Sequence, residues 1–105
     1  MERHCPRYDI NGINSWCLIR ETPYSESNFV KTTNGEFVVD IHYTPEKILT
    51  VTIGHNGHLS KNNIDPILEQ CGRLAHARGN YNVINYTLAG SDGIDFGHYE
   101  IGENK

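Results

Sequence analysis

The sequence lacks the features that mark several specialised classes of small protein. No apolar run approaches the roughly 20 residues that span a bilayer, and the first residues contain no apolar segment of a signal peptide. Basic residues are also few. The chain has 9 lysines and arginines and 13 aspartates and glutamates, which gives a formal net charge of -4. A nucleic-acid surface needs a basic footprint. We therefore expect neither a membrane nor direct contact with nucleic acid.

Cysteine is scarce, and its spacing forms no recognisable pair. Cys5, Cys17 and Cys71 are an odd set without a CxxC motif, which is typical of a reducing compartment and predicts a cytoplasmic protein. The chain also has no HExxH motif, no Cys/His quartet and no phosphate-binding loop. These absences predict no bound metal and no cofactor.

What is present suits one folded unit. With 105 residues, 37% of them hydrophobic, the chain is long enough to bury a modest core. We expect a single α+β domain over residues 1–105. Residues 1–12 mix charge, proline and glycine, and are predicted to be a flexible arm.

The clearest local pattern is an amphipathic helix over residues 63–79. Its apolar residues recur at the i, i+3, i+4 spacing of one helix face: Ile64, Ile67, Leu68, Cys71, Leu74 and Ala75. Pro66 is expected in the first turn, with Asp65 or Asn63 as the cap, and Gly79 is expected to end the helix in a left-handed conformation. Gly72 is expected close to the packed side.

Strands are predicted on both sides of this helix. Residues 14–20 form a first strand, and a loop is expected around residues 23–27. Asn34-Gly35 predicts a tight hairpin turn between two apolar runs, and alternation continues through residues 37–43 and 48–54. Residues 80–88 and 94–101 form the last hairpin, around residues 90–93. The result is a mainly antiparallel sheet of five to six strands in the order ββββαββ, with the helix packed on one face.

Six histidines raise the alternatives of a metal site or acid–base catalysis. His55 and His58 are close in sequence, and His42 could supply a third ligand. Asp40 and His42 point the same way from one strand, so they could transfer protons together with His98 or His55. Neither pattern brings a nucleophile or a complete ligand set, so we assign no catalytic and no metal-ligating residue.

The remaining hypotheses concern surfaces. Tyrosine is the dominant aromatic residue and is frequent at protein interfaces. Exposed strand positions and the last hairpin are the predicted partner-binding residues: Asp40, His42, Asp92, Asp95 and Tyr99. Acidic side chains there, together with Glu36, would suit the basic groove of a nucleic-acid-binding protein.

The sequence resembles no known family in a specific motif. Its leading interpretation is a small inhibitor or immunity-type protein, such as phages and bacteria encode, that masks a surface of another macromolecule. The alternatives are a small His/Asp-dependent hydrolase or nuclease, and an assembly subunit that pairs through an edge strand at residues 14–20 or 94–101. Whether the protein is an enzyme is left open, with a non-catalytic role favoured, and a homo-oligomer is left open too.

Overall fold

The computed structural model describes residues 7–10, 12–33, 35–55, 61–79, 81–90 and 93–101, without the side chains of 7–10 and 61–63. These residues form one helix and seven strands. The strands are β1 (Arg7–Ile10), β2 (Ile13–Thr22), β3 (Ser25–Thr32), β4 (Gly35–Tyr43), β5 (Ile48–His55), β6 (Val83–Gly90) and β7 (Gly93–Glu100), and the helix is α1 (Lys61–Arg78).

The strands form one sheet in strict sequence order, β1-β2-β3-β4-β5-β6-β7. Neighbouring strands are antiparallel except β5 and β6, which run parallel because α1 connects them as a crossover. The predicted α+β class, with a mainly antiparallel sheet and a single helix, is therefore confirmed. The additional strand β1 lies inside the segment that was predicted to be an arm.

Alternating side chains place the core on one face of the sheet. On β4, Phe37, Val39, Ile41 and Tyr43 are buried, and the residues between them are half-buried or exposed. The same alternation continues on β5 and β6, so the buried side chains of three neighbouring strands share a face. The apolar residues of α1 join this core. We call this side of the sheet the helix face and the other side the open face.

The helix agrees with its sequence pattern on the buried side and at its end, directly before Gly79, and differs at its start. Ile64, Ile67, Leu68, Cys71 and Ala75 are fully buried, whereas Leu74 is partly buried. The helix begins at Lys61, so Pro66 lies beyond the first turn. Its missing N–H removes a bond that the carbonyl of residue 62 would otherwise accept.

Glycines occupy tight positions, although not all as predicted. The amide of Gly79 donates to the carbonyl of Ala75, but Gly79 is not among the described glycines with positive φ. Gly72 lies against Ile101, to which a Cβ would approach within 3.5 Å, as expected for a residue on the packed side. Gly35 has a φ of 136° and pairs with Thr32, so it already belongs to β4, and Asn34 of the predicted turn lies outside the described residues.

Two further predictions needed correction. Residues 25–27 were predicted to be a loop but belong to β3, and the turn is confined to Pro23 and Tyr24, because Thr22 already pairs with Ser25. Residues 14–20 were proposed as an edge strand, yet they lie in β2, which is paired on both sides.

The cysteines differ in state. Cys17 is disulfide-bonded, whereas Cys71 is a free, buried thiol. Burial, and then the carboxylate of Glu26, raise the pKa of Cys71 above its ordinary value. A disulfide is typical of an oxidising compartment. It therefore weighs against the reducing environment that predicted a cytoplasmic protein.

Among the described residues, no helix is both long and apolar enough to cross a membrane.

Candidate interaction surface

The open face of the sheet carries no helix, and its side chains line up in rows across the strands. Residues that pair across adjacent strands point to the same side, so the register defines each row. The first row is apolar and runs from β2 to β7: Cys17, Phe29, Val38, Gly54, Ala89 and Ile94. We call it the apolar row.

Two polar rows lie beside it. The first of them, the aspartate row, contains Arg20, Ser27, Asp40, Thr52, Thr87 and Phe96. The second, the histidine row, contains Thr22, Ser25, His42, Thr50, Asn85 and His98. The open face is thus rich in serine and threonine and bordered by an apolar stripe.

Several large apolar side chains of this face are exposed to solvent. Phe96 is 74% exposed, Ile94 is 67% exposed and Val38 is 43% exposed. In the first half of β7 the usual pattern is reversed, because Ile94 and Phe96 point away from the core and Asp95 points toward the helix side. Neighbouring large apolar side chains that are exposed to solvent mark a candidate contact surface.

The predicted partner-binding residues do not share one surface. Asp40 and His42 lie next to each other on the open face of β4, as expected. Asp95 and Tyr99 pair with the core residues Leu88 and Ile84, so they lie on the opposite side of the sheet. Asp92 is outside the described residues.

Asp40 is the central charge of the open face. Its cross-strand neighbours are Ser27 and Thr52, and within the described part of the chain it makes no hydrogen bond or ion pair with another residue. Glu36, by contrast, lies directly opposite Lys31. A half-buried carboxylate without a cationic partner in its own chain can form an ion pair with a lysine or arginine of another molecule.

His98 has a fixed orientation on the same face. Its Nδ1 lies 2.7 Å from Oδ1 of Asn85. An amide oxygen only accepts, so Nδ1–H donates, and Nε2 carries the lone pair in the neutral ring. The two residues line an open groove of about 440 Å³ together with Thr50, Tyr86, Thr87, Phe96 and Gly97.

The histidines that the structure describes do not assemble into the catalytic or metal-binding sets that the sequence suggested. His55 faces the helix side, where its ring stacks on Phe37 at 4.5 Å and its Nδ1 lies 2.8 Å from the carbonyl oxygen of Glu36. His42 faces the other side, so the two cannot share an ion. His58 lies outside the described residues, and the described part of the chain holds no cluster of three metal-ligating side chains.

His42 and His98 share the histidine row but lie too far apart to act on one reacting group. Three strand spacings separate them, which amounts to roughly 14 Å. Asp40 and His42 also form no hydrogen bond with each other in the part of the chain that the structure describes. His42 and His98 therefore do not form one acid–base pair.

Tyr99 belongs to a separate groove between β7 and α1. This groove, of about 470 Å³, is lined by Asp65, Pro66, Glu69 and Tyr99. Burial raises the pKa of Tyr99, and Glu69 and Asp65 raise it further. The cause is that a phenolate would be poorly solvated beside two carboxylates.

A polar cluster that the sequence did not reveal joins the end of α1 to the sheet. The Tyr43 hydroxyl donates to Glu26 at 3.0 Å, Arg78 pairs with the same carboxylate at 3.4 Å, and the Arg78 guanidinium lies 4.0 Å above the Tyr43 ring. In the sequence, Arg78 is not part of the apolar stripe of α1. Only the packing of α1 on β3 and β4 brings it to Glu26.

Comparison with protein-family models, curated proteins and solved structures finds no match for this chain.

Proposed function

We propose that this protein is a binding module of the inhibitor or immunity type, which masks a surface of another protein with the open face of its sheet. The observation that carries the proposal is the pair Ile94 and Phe96 on β7, which are exposed to solvent on the open face although the core lies on the other side of the sheet. Burying such side chains contributes about 25 cal/mol per Å² of apolar surface.

The rest of the open face supplies what a protein interface needs. Val38 lies in the centre, on β4, opposite Phe29 and Gly54, and the polar aspartate row with Ser27 and Thr52 lies beside it. An interface of this kind has an apolar centre with polar groups around it. The face is also built on paired strands, so its residues are held in place before a partner arrives, which reduces the entropy lost on binding.

Charge supports a partner with a basic contact surface. The chain has a net charge of -4, and Asp40 lies in the middle of the open face without a cation of its own. A lysine or arginine of the partner would complete this ion pair. A protein that handles nucleic acid has such a surface, and the association would then be fast and sensitive to salt.

The experiment compares variants in recovery of a partner from the cells that encode the protein, followed by inhibition of that partner. Val38→Asp and Phe96→Asp place a charge in the apolar part of the face and should abolish binding without lowering the melting temperature. Tyr24→Asp is the matched control, because Tyr24 is 75% exposed at the β2–β3 turn, away from the centre of the face.

The charge hypothesis has its own pair of variants. Asp40→Asn keeps the shape of the side chain and should weaken binding by roughly tenfold or more, with a smaller salt dependence. Asp65→Asn removes the same charge from the exposed side of α1 and should change the affinity little. Equal effects of the two variants would show that only net charge matters, and binding unaffected by Val38→Asp would rule out the open face.

A further inference from the structure

The free edge of β7 is a second surface, distinct from the open face. Within the described residues, β7 is the last strand of the sheet and pairs only with β6. The amide of Ile101 donates to the carbonyl of Asn82 at 3.0 Å, in register with the pairing of Glu100 and Val83. Backbone groups alternate in direction along a strand. The odd-numbered residues therefore bond to β6, and the N–H and C=O groups of Ile94, Phe96, His98 and Glu100 point outward.

This edge lacks most of the features that prevent strands from pairing. Its register with β6 runs without a bulge from Val83↔Glu100 to Gly90↔Gly93. The strand contains no proline and no lysine. Natural proteins protect edge strands with prolines and lysines, with bulges or with short strands. The opposite edge, β1, has 4 residues and an irregular register.

One protecting contact is present. The outward N–H of Phe96 donates to Oδ1 of Asp95 at 3.1 Å. The carboxylate thereby occupies the central donor of the edge. It also places a negative charge where an incoming carbonyl oxygen would have to approach.

We propose that the β7 edge pairs antiparallel with the β7 edge of a second copy of this chain, and that Asp95 limits this pairing. A two-fold axis at Phe96 places Phe96 opposite its own copy and Ile94 opposite His98 of the second copy. Outward backbone groups then meet outward backbone groups. A two-fold axis one residue away, at Asp95 or at Gly97, gives a less favourable register. The first places Asp95 opposite Asp95 of the second copy, and the second places Ile94 opposite Glu100.

The resulting dimer is weak and depends on concentration. A single strand edge with two exposed apolar side chains buries less than the roughly 1,200 Å² of a standard stable interface. Each copy must also give up the Asp95 contact before its Phe96 amide can pair. We therefore expect wild-type protein to dimerise only when concentrated.

The test measures the dimer dissociation constant by sedimentation for wild type and three variants. Asp95→Ala should tighten the dimer by roughly tenfold or more, because it frees the Phe96 amide and removes the charge. Asp95→Asn keeps an acceptor oxygen without the charge and should fall between the two. Asp65→Ala removes an exposed charge from α1 and should match wild type.

Hydrogen exchange identifies the surface that pairs. In the Asp95→Ala dimer the outward amides of Ile94, Phe96 and His98 should exchange more slowly than in the diluted monomer. The amides of the open-face centre, such as Val38, should not change. A dimer without this protection, equal effects of Asp95→Ala and Asp65→Ala, or a monomer at every concentration in all variants would overturn the proposal. Protection of these amides only by the strand of another protein would overturn it too.

Discussion

At the scale of single residues, side-chain volume is decisive where strands pass close to a ring. Gly97 pairs with Tyr86, and a Cβ at position 97 would overlap the Tyr86 ring and hydroxyl. Gly54 also lies within a strand, but a Cβ there would meet only the carbonyl oxygen of Val38, at 4.0 Å. Two glycines in similar backbone positions therefore differ in what they tolerate.

Gly97→Ala should lower the free energy of unfolding by about 1 to 3 kcal/mol, because the rigid Tyr86 ring must move out of its packed position. Gly54→Ala is the control and should change the stability by less than about 1 kcal/mol, with stabilisation expected, since alanine loses less backbone entropy on folding. Urea denaturation of both variants checks this. Equal midpoints for the two would show that the Tyr86 ring is not a steric limit.

At the scale of elements, the stability of α1 depends on its buried stripe. Leu68 is fully buried and Leu74 only partly, whereas Glu69 is exposed. Leu68→Ala should cost about 2 to 5 kcal/mol, Leu74→Ala less, and Glu69→Ala well under about 1 kcal/mol. Chemical denaturation gives the order. If Leu68→Ala and Glu69→Ala unfold at the same midpoint, the assigned helix face is wrong.

The elements themselves could be predicted from sequence because their signals are local. The alternation of Phe37, Val39 and Ile41 and the i, i+3, i+4 spacing of Ile64, Ile67 and Leu68 depend only on neighbouring residues. The residues at which strands begin and end were predicted less accurately. The loop expected at residues 23–27 is mostly strand, because pairing with β2 and β4 outweighs the weak strand preference of serine.

The candidate site was predicted only in part, since its surface depends on long-range register. The shared face of Asp40 and His42 could be predicted because they alternate with buried residues on their own strand. On β7 the same reasoning fails, because Ile94 and Phe96 are apolar yet exposed, and Asp95 and Tyr99 lie on the helix side. Only the pairing with β6 determines whether the odd-numbered or the even-numbered residues of β7 point toward the core. The Glu26–Arg78 ion pair, 52 residues apart, had no local signal either.

At the scale of the whole molecule, the two sides of the sheet perform different tasks. The helix face holds the core and the cluster of Tyr43, Glu26 and Arg78, which fixes the end of α1. No residue of the core cluster lies on the open face within the described residues, so under the proposed function the composition of this face is available to a partner. This separation implies that open-face variants change binding and leave unfolding nearly intact, whereas changes to the buried cluster alter stability and its dependence on pH.

The buried Tyr43 hydroxyl and Cys71 thiol make the stability of the fold decrease at alkaline pH. Burial, and then the Glu26 carboxylate, raise the pKa of Tyr43 above its ordinary value of 10.0, whereas Arg78 opposes this shift. Burial raises the pKa of Cys71 above its ordinary value of 9.0. Unfolded chains release these protons near pH 9 and 10, whereas the folded protein retains them. The unfolded state then binds fewer protons, so stability falls as pH rises.

The free energy of unfolding should therefore be nearly constant up to about pH 9 and then decline, by at most about 1.4 kcal/mol per pH unit for each such group. Urea titrations at successive pH values measure the slope. Tyr43→Phe should flatten the decline above about pH 10, and Cys71→Ala should remove the part that begins near pH 9. Tyr24→Phe removes an exposed hydroxyl and should keep the wild-type slope. If Tyr43→Phe leaves the alkaline slope unchanged as well, the Tyr43 hydroxyl is not protected by the packing of α1 against the sheet.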